Sequence, residues 1–393
     1  MPGPTRSSVG AIGVVFFVNG ASFANWLPRI DEVRDSIGVS NNGLGMALLG
    51  GGLGGILGSL VAARVLRPGA ILGILGRSAA ALALAFPLIA VVPNALTLLV
   101  LLTFLGFSDV LCDTAMNAEA AAIQAGHDGS IIHRIHGMWS FGFVSGTIVG
   151  WGASALDVPL VVHLTAVSAL LLVTSLRSVA ALSAAHVPPP ESPDPVATPP
   201  SAGRSRLHLA IVPFALAAAT FEVVPNDWSA TALRDWLDAG RLKGAGPVVF
   251  AGAMLIGRFR GDRILDRIGA SRMLATALAT VAAGVGVILV APHAIVALIG
   301  FALWGLGVSV MFPQVYLMAA NADPDHPGAG LAAMTLAQRG GFMAATASMG
   351  LVSASAGYGV AFAVVAGVAA ALWVVGLAWS RAGSSGRDRI VAT

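Results

Sequence analysis

The stretch ALTLLVLLTFLGFSDVLCDTAMNA, residues 95–118, carries no lysine or arginine, and its only charges are Asp109 and Asp113. A helix needs ~20 apolar residues to cross the ~30 Å hydrocarbon layer of a bilayer. No open strand or loop can take its place, because in lipid every backbone N–H and C=O must be bonded within the protein. The stretch therefore reads as a transmembrane helix with two acids inside it. Asp109, Asp113 and Asn117 recur every four residues and share one helix face. A charge at this depth costs ~2.5–3.5 kcal/mol on insertion scales, so each acid needs a reason to be there.

The rest of the chain has the same texture. Of its 393 residues, 56% are hydrophobic and 10% charged, against about 25% charged in a soluble domain. The 48 glycines suit membrane helices, which pack closely through small residues. A net charge of +3 leaves no nucleic-acid footprint. The single cysteine, Cys112, lies inside the quoted stretch and reads as a small hydrophobe. The first apolar run, from Val9 to Trp26, is too long for a signal-peptide core and reads as a retained span.

Apolar runs place spans at 9–30, 43–63, 70–92, 95–118, 135–156 and 159–181, and again at 208–230, 243–262, 271–291, 294–320, 328–352 and 356–380. Between the two sets lies VPPPESPDPVATPP, residues 187–200, which can neither continue a helix nor pack a core. The predicted organisation is all-α and integral to the membrane, with twelve transmembrane helices in two pseudo-symmetric six-helix bundles. Residues 1–182 form one bundle, 183–207 a cytoplasmic linker, 208–381 the other bundle and 382–393 a cytoplasmic tail. With the N-terminus inside, Arg64, Arg67, Arg134, Arg177, Arg258, Arg260, Arg263, Arg267, Arg272 and Arg381 gather on the cytoplasmic side. The outer side holds Arg29, Arg34, Arg234, Arg241 and Lys243, set among acids. That bias places both termini in the cytoplasm and the chain in the inner membrane.

The halves echo each other. Asn25-Trp26 ends the first span and Asn226-Asp227-Trp228 the seventh, while Trp139-Ser140-Phe141-Gly142-Phe143 aligns with Gln338-Arg339-Gly340-Gly341-Phe342. Two repeats joined by a linker are the pattern of a secondary transporter, with the substrate expected between them at mid-membrane.

The segment GRFRGDRILDRIGASR, Gly257 to Arg272, resembles the loop motif of the major facilitator superfamily. The resemblance implies a cytoplasmic gate in which Gly257 lets two helices approach, Asp262 caps and pairs, and Arg258, Arg263 and Arg267 hold the closed state. The corresponding first-half loop, GSLVAARVLRPGA from Gly58 to Ala70, lacks the aspartate and keeps Arg64 and Arg67. Four further segments, ASFANWLPRI (21–30), DTAMNAEA (113–120), HGMWSFG (136–142) and EVVPNDWSA (222–230), are similar to an uncharacterised bacterial branch distantly similar to fucose and sugar permeases. The resemblance spans essentially the whole chain and implies a sugar or related hydroxylated cargo.

The candidate proton-coupling residues are Asp113 and Asp109 in span four and Glu222 in span seven. Asp227 lies five residues beyond Glu222 and points elsewhere. Pro225 between them is expected to interrupt the hydrogen-bond ladder and kink the helix. Arg339, next to Gln338, either contacts substrate or neutralises a carboxylate. Arg77 reads as a snorkelling residue. Asn19, Asn25, Trp26, Asn117, Trp139, Asn226, Asp227, Trp228, Gln314, Gln338 and Arg339 make up the candidate substrate-binding set, since indole stacking and amide hydrogen bonds suit sugars and polyols. Interfacial anchoring is the competing role for Trp26 and Trp228. The ladders Gly50-Gly54-Gly58 and Gly142-Gly146-Gly150 read as helix-contact stripes.

His133 and His136 stand three apart with no carboxylate or cysteine to complete a metal set, and His136 could instead serve a pH-sensitive gate. The expectation is therefore no metal, no cofactor and no enzymatic activity. The expected protein is a monomer in the lipid bilayer that binds a small-molecule substrate and protons and moves the solute by alternating access. The competing readings are a proton-driven exporter of hydrophobic drugs or metabolites, and a non-transporting membrane receptor or scaffold.

Overall fold

The computed structural model describes residues 6–67, 69–126, 131–185, 206–320 and 327–390, and among these every regular element is a helix. The chain divides into two compact units, Met1–Ala197 and Thr198–Thr393.

In the first unit α1 (Arg6–Ala24) stops short of Pro28; a 3-10 turn at Leu27–Arg29 leads into α2 (Ile30–Ser36). Proline is tolerated there because the N–H groups of a first helical turn have no partner in any case. The span expected at 9–30 is thus a helix, a tight turn and a further short helix. α3 (Asn41–Val65) starts at Ser40, whose side chain accepts from the Gly43 N–H. α5 (Ala95–Ala125) starts at Asn94, whose side chain accepts from the Thr97 N–H at 2.9 Å. Each cap satisfies a donor that the helix itself leaves open. Between them α4 (Ile71–Ala85) tightens to a 3-10 helix over Phe86–Val91. α6 (Ile132–Ala155) and α7 (Leu160–Ala185) complete the unit.

In the second unit α8 (Arg206–Asp235) runs on through Pro213 and Pro225 without a break. α9 (Ala245–Ile268) and α10 (Ala270–Leu289) meet at Gly269, whose φ of 76° suits glycine alone. The span expected at 294–320 is two helices, α11 (Ala294–Val308) and α12 (Met311–Ala320). α13 (Pro327–Ile390) covers the last two expected spans and bends at Gly357, where φ is 84°.

The same pairings recur in both units. α1 packs on α6, α3 on α5 and α4 on both α5 and α7; α8 packs on α13, α9 on α11 and α10 on both α11 and α13. Glycines set these approaches. A Cβ at Gly54 would strike the Thr103 carbonyl of α5, and one at Gly142 the Phe17 carbonyl of α1. A Cβ at Gly341 would lie 2.8 Å from the Ala219 Cβ and 2.9 Å from the Leu216 carbonyl of α8. Gly142 and Gly341, aligned in the sequence echo, therefore do the same work in their own units.

Apolar side chains also cover the outside. Leu96, Leu156, Phe259 and Val290 are 70–78% exposed, an arrangement that lipid accepts and water does not. Among the described residues eight helical segments are long and apolar enough to cross a membrane: Ser8–Ser36, Asn41–Ala62, Ile71–Val91, Ala95–Gln124, Leu160–Ala185, Arg272–Leu289, Ala294–Val315 and Leu336–Val375. The chain is a multi-pass membrane protein.

Candidate functional site

The first unit holds a hydrogen-bonded chain across three helices. Trp139 of α6 donates from its indole N–H to Asn19 Oδ1 at 2.8 Å, and Asn19 of α1 donates from Nδ2 to Asp109 Oδ1 of α5 at 3.0 Å. Asn19 is buried, Asp109 and Trp139 are half-buried, and the Trp139 ring stacks on Phe143 at 5.4 Å. An amide suits the middle of such a chain because it accepts at one end and donates at the other. One turn along α5, Asp113 is exposed; Asn117 Nδ2 donates to its Oδ1 at 3.1 Å and to its backbone carbonyl at 2.8 Å. Beside Asn19, a cavity of about 10 Å³ touches Ser22, Cys112 and Ser175. That is room for about one water and no organic solute.

A second network closes the far end of the same unit. The Arg29 side chain is 2% exposed; it donates to Glu32 Oε2 from Nη2 at 2.6 Å and from Nε at 3.1 Å. Nη2 also donates to the Val158 carbonyl at 2.6 Å, and Ser154 Oγ donates to Glu32 Oε1 at 2.6 Å. Nearby, His163 Nε2 lies 3.3 Å from Asn25 Oδ1, while Asn25 Nδ2 donates to the Ala21 carbonyl. Sequence reasoning counted Arg29 only as an outer charge and did not single out Glu32, Ser154 or His163. The available signal was the Arg29–Glu32 spacing of three, one helical turn. Trp26 is buried against this end.

In the second unit the candidates cluster on α8. Glu222 is half-buried and feels the charge of Arg258 on α9. Asp227 points about 140° away around the helix, and its Oδ2 accepts from Thr346 Oγ1 of α13 at 2.9 Å. Thr346 is a partner that sequence reasoning missed; it lies seven residues after Arg339 and so on the same face of α13. Asn226 is buried and donates from Nδ2 to the Glu222 carbonyl at 2.8 Å. Trp228 is fully enclosed and Gln314 buried, whereas Gln338 and Arg339 are half-buried. Among the described residues Arg339 makes no ion pair.

Of the gate motif, Gly257 seats α9 on α11: a Cβ there would collide with the side chain of Ser309 at the end of α11. Arg258 is half-buried and Arg267 exposed, while the side chains of Asp262 and Arg263 lie outside the described residues. His136 meets Phe16 edge-on at 5.2 Å, and the side chain of His133 lies outside the described residues. Arg77 is exposed. Among the described residues no three His, Cys, Asp or Glu side chains gather as a metal would require.

No family model matches the chain. An uncharacterised MFS-type transporter of Yersinia pestis is 27% identical over 357 residues, which cover 90% of this chain and 91% of that protein. The membrane protein MosC of Rhizobium meliloti is 26% identical over 385 residues, covering 92% and 88%. An uncharacterised transporter of Sinorhizobium fredii is 27% identical over 374 residues, covering 92% and 94%. Among solved structures, the nucleoside transporter NupG superposes with a TM-score of 0.74 at 13% identity over 95% of this chain and 99% of its own. The resemblance to major facilitator transporters thus extends along nearly the whole chain, and the fold is that of NupG.

Proposed function

We propose that this protein is a proton-coupled secondary transporter that moves a small hydroxylated organic solute across the inner membrane by alternating access. The transport reading rests on relatives named as transporters over nine-tenths of the chain and on the fold shared with NupG. NupG is a nucleoside transporter, and a nucleoside is itself a sugar-bearing solute. That supports the hydroxylated class and leaves sugars and nucleosides as its leading members.

The observation that carries the chemistry is the Trp139–Asn19–Asp109 chain. It links an indole that can stack on a ring to a carboxylate that can take a proton, through one amide. The half-buried Asn117 and Trp139 are the proposed substrate contacts of the first unit, and the half-buried Gln338 and Arg339 those of the second. The enclosed Asn25, Trp26, Asn226, Trp228 and Gln314 hold the helices that carry them. The proton carrier is one or more of Asp109, Asp113 and Glu222, and Asp227 is held by Thr346.

The same proposal gives twelve passes. The eight apolar segments are joined by α6, α8 and α9, and α13 counts twice because it bends at Gly357. Both termini then lie in the cytoplasm with the Arg-rich loops, the bundles are 1–182 and 208–381, and one chain suffices for transport. Testing the cargo requires proteoliposomes preloaded with single candidate solutes. Counterflow with a nucleoside or a hexose supports the reading; counterflow with neither, but with an apolar cation, would assign the protein to drug export.

A further inference from the structure

A groove of about 540 Å³ runs along α10 in the second unit, from Arg272 at the end of the loop segment and away from the carboxylates. Its floor is Ala275, Ala279 and Ala283, which recur every four residues and leave a strip clear of large side chains. Leu303 of α11 and Trp373 of α13 wall it, and Arg272 stands at one end. From Arg272 to Ala283 the helix rises ~16 Å, about half of the ~30 Å hydrocarbon layer and so the depth of one leaflet. Trp373 lies ~24 Å along α13 from the Gly357 bend.

The walls offer little to a polar ligand below that end. Thr276 Oγ1 donates to the Arg272 carbonyl at 2.8 Å, and Thr280 Oγ1 to the Thr276 carbonyl at 2.7 Å. Both hydroxyl protons are thereby used within the helix. Arg272 is exposed and among the described residues makes no ion pair. An apolar trough one leaflet deep, with Arg272 at its mouth, is complementary to an amphiphile with one negative head.

We propose that this groove binds an anionic glycerophospholipid, with an acyl chain along Ala275–Ala279–Ala283 and the phosphate on Arg272. A zwitterionic lipid fits the trough equally well but brings its own cation to Arg272. The discrimination therefore comes from that one arginine. The proposal rests on the chain lying in a bilayer, not on transport, so the failure of either leaves the other standing.

The test uses the purified full-length chain, stripped of lipid in mild detergent. Native mass spectrometry and thermal unfolding are followed with phosphatidylglycerol, with phosphatidylcholine of the same acyl chains, and with inorganic phosphate. Phosphatidylglycerol is expected to be retained and to raise the unfolding temperature, and the other two are not. Arg272→Gln should weaken phosphatidylglycerol about fivefold, the equivalent of ~1 kcal/mol for one basic residue at an anionic head. Filling the floor with Ala279→Leu and Ala283→Leu should remove retention, while Arg177→Gln on α7 should change nothing. Equal retention of both lipids, or a preference that survives Arg272→Gln, overturns the proposal. Stabilisation by inorganic phosphate alone also overturns it, by assigning Arg272 to a soluble anion.

Discussion

Arg29 and Glu32 form an ion pair whose two ends are unequally buried, and that asymmetry predicts which substitution hurts more. The side chain of Arg29 is 2% exposed and that of Glu32 25% exposed. Removing Glu32 strands a guanidinium whose remaining contact here is the Val158 carbonyl. An uncompensated buried charge of this kind costs about 3–5 kcal/mol. Removing Arg29 leaves a carboxylate that still accepts from Ser154 at 2.6 Å and reaches solvent. The cost there falls to about 2 kcal/mol, that of losing a hydrogen bond to a charged group. With roughly 2–4 °C of unfolding temperature per kcal/mol for a unit of this size, Glu32→Ala should lower the midpoint by on the order of 10 °C. Arg29→Met should lower it by about half as much. The double variant has no charge left to strand and should lie well above the sum of the two losses. The assay is thermal unfolding of the four proteins in one detergent. A larger loss for Arg29→Met, or strict additivity, would refute the argument from unequal burial.

The remaining predictions concern packing and topology. Gly142→Val drives a side chain into the Phe17 carbonyl and should abolish folded protein, whereas Gly137→Ala, with nothing within 4 Å of its Cβ, should express normally; size-exclusion profiles of the two decide it. A reporter fused within 188–200, or after Thr393, should report cytoplasm, and a periplasmic signal from either would break the twelve-pass count.

Composition and periodicity reached the membrane and the helices, because lipid imposes one solution on any long apolar run. Residues 43–63 and 95–118 lie within α3 and α5. Helix interruptions were less legible. Pro225 does not end α8, where the Asn226 side chain donates to the Glu222 carbonyl, whereas α11 gives way to α12 at Ser309 and Val310 because Pro313 cannot donate to the Ser309 carbonyl and fits only a first helical turn. The polar partnerships were hardest to see. Asn19, Asp109 and Trp139 could each be picked out as polar or aromatic residues in apolar runs, yet a helical period says which residues share a face, not which helix lies opposite. Asn19 and Asp109 are 90 positions apart and Thr346 and Asp227 119, separations that only the helix pairing resolves. Arg29 could be read as a charge set among acids, but its burial depends on the Val158 carbonyl 129 positions away, which the sequence does not place beside it.

The central claim is that carboxylates in α5 and α8 couple solute movement to protons, and the direct measurement is solute-induced proton uptake beside counterflow in proteoliposomes. An amide in place of a carboxylate imitates its protonated form permanently. Asp109→Asn, Asp113→Asn or Glu222→Gln, whichever replaces the carrier, should abolish accumulation driven by a pH gradient. That variant should keep at least half of the counterflow at equal pH, since exchange needs no net proton transfer. Loss of both activities in step with lost folded protein marks a structural carboxylate instead. Full proton-coupled uptake in all three variants would contradict the account.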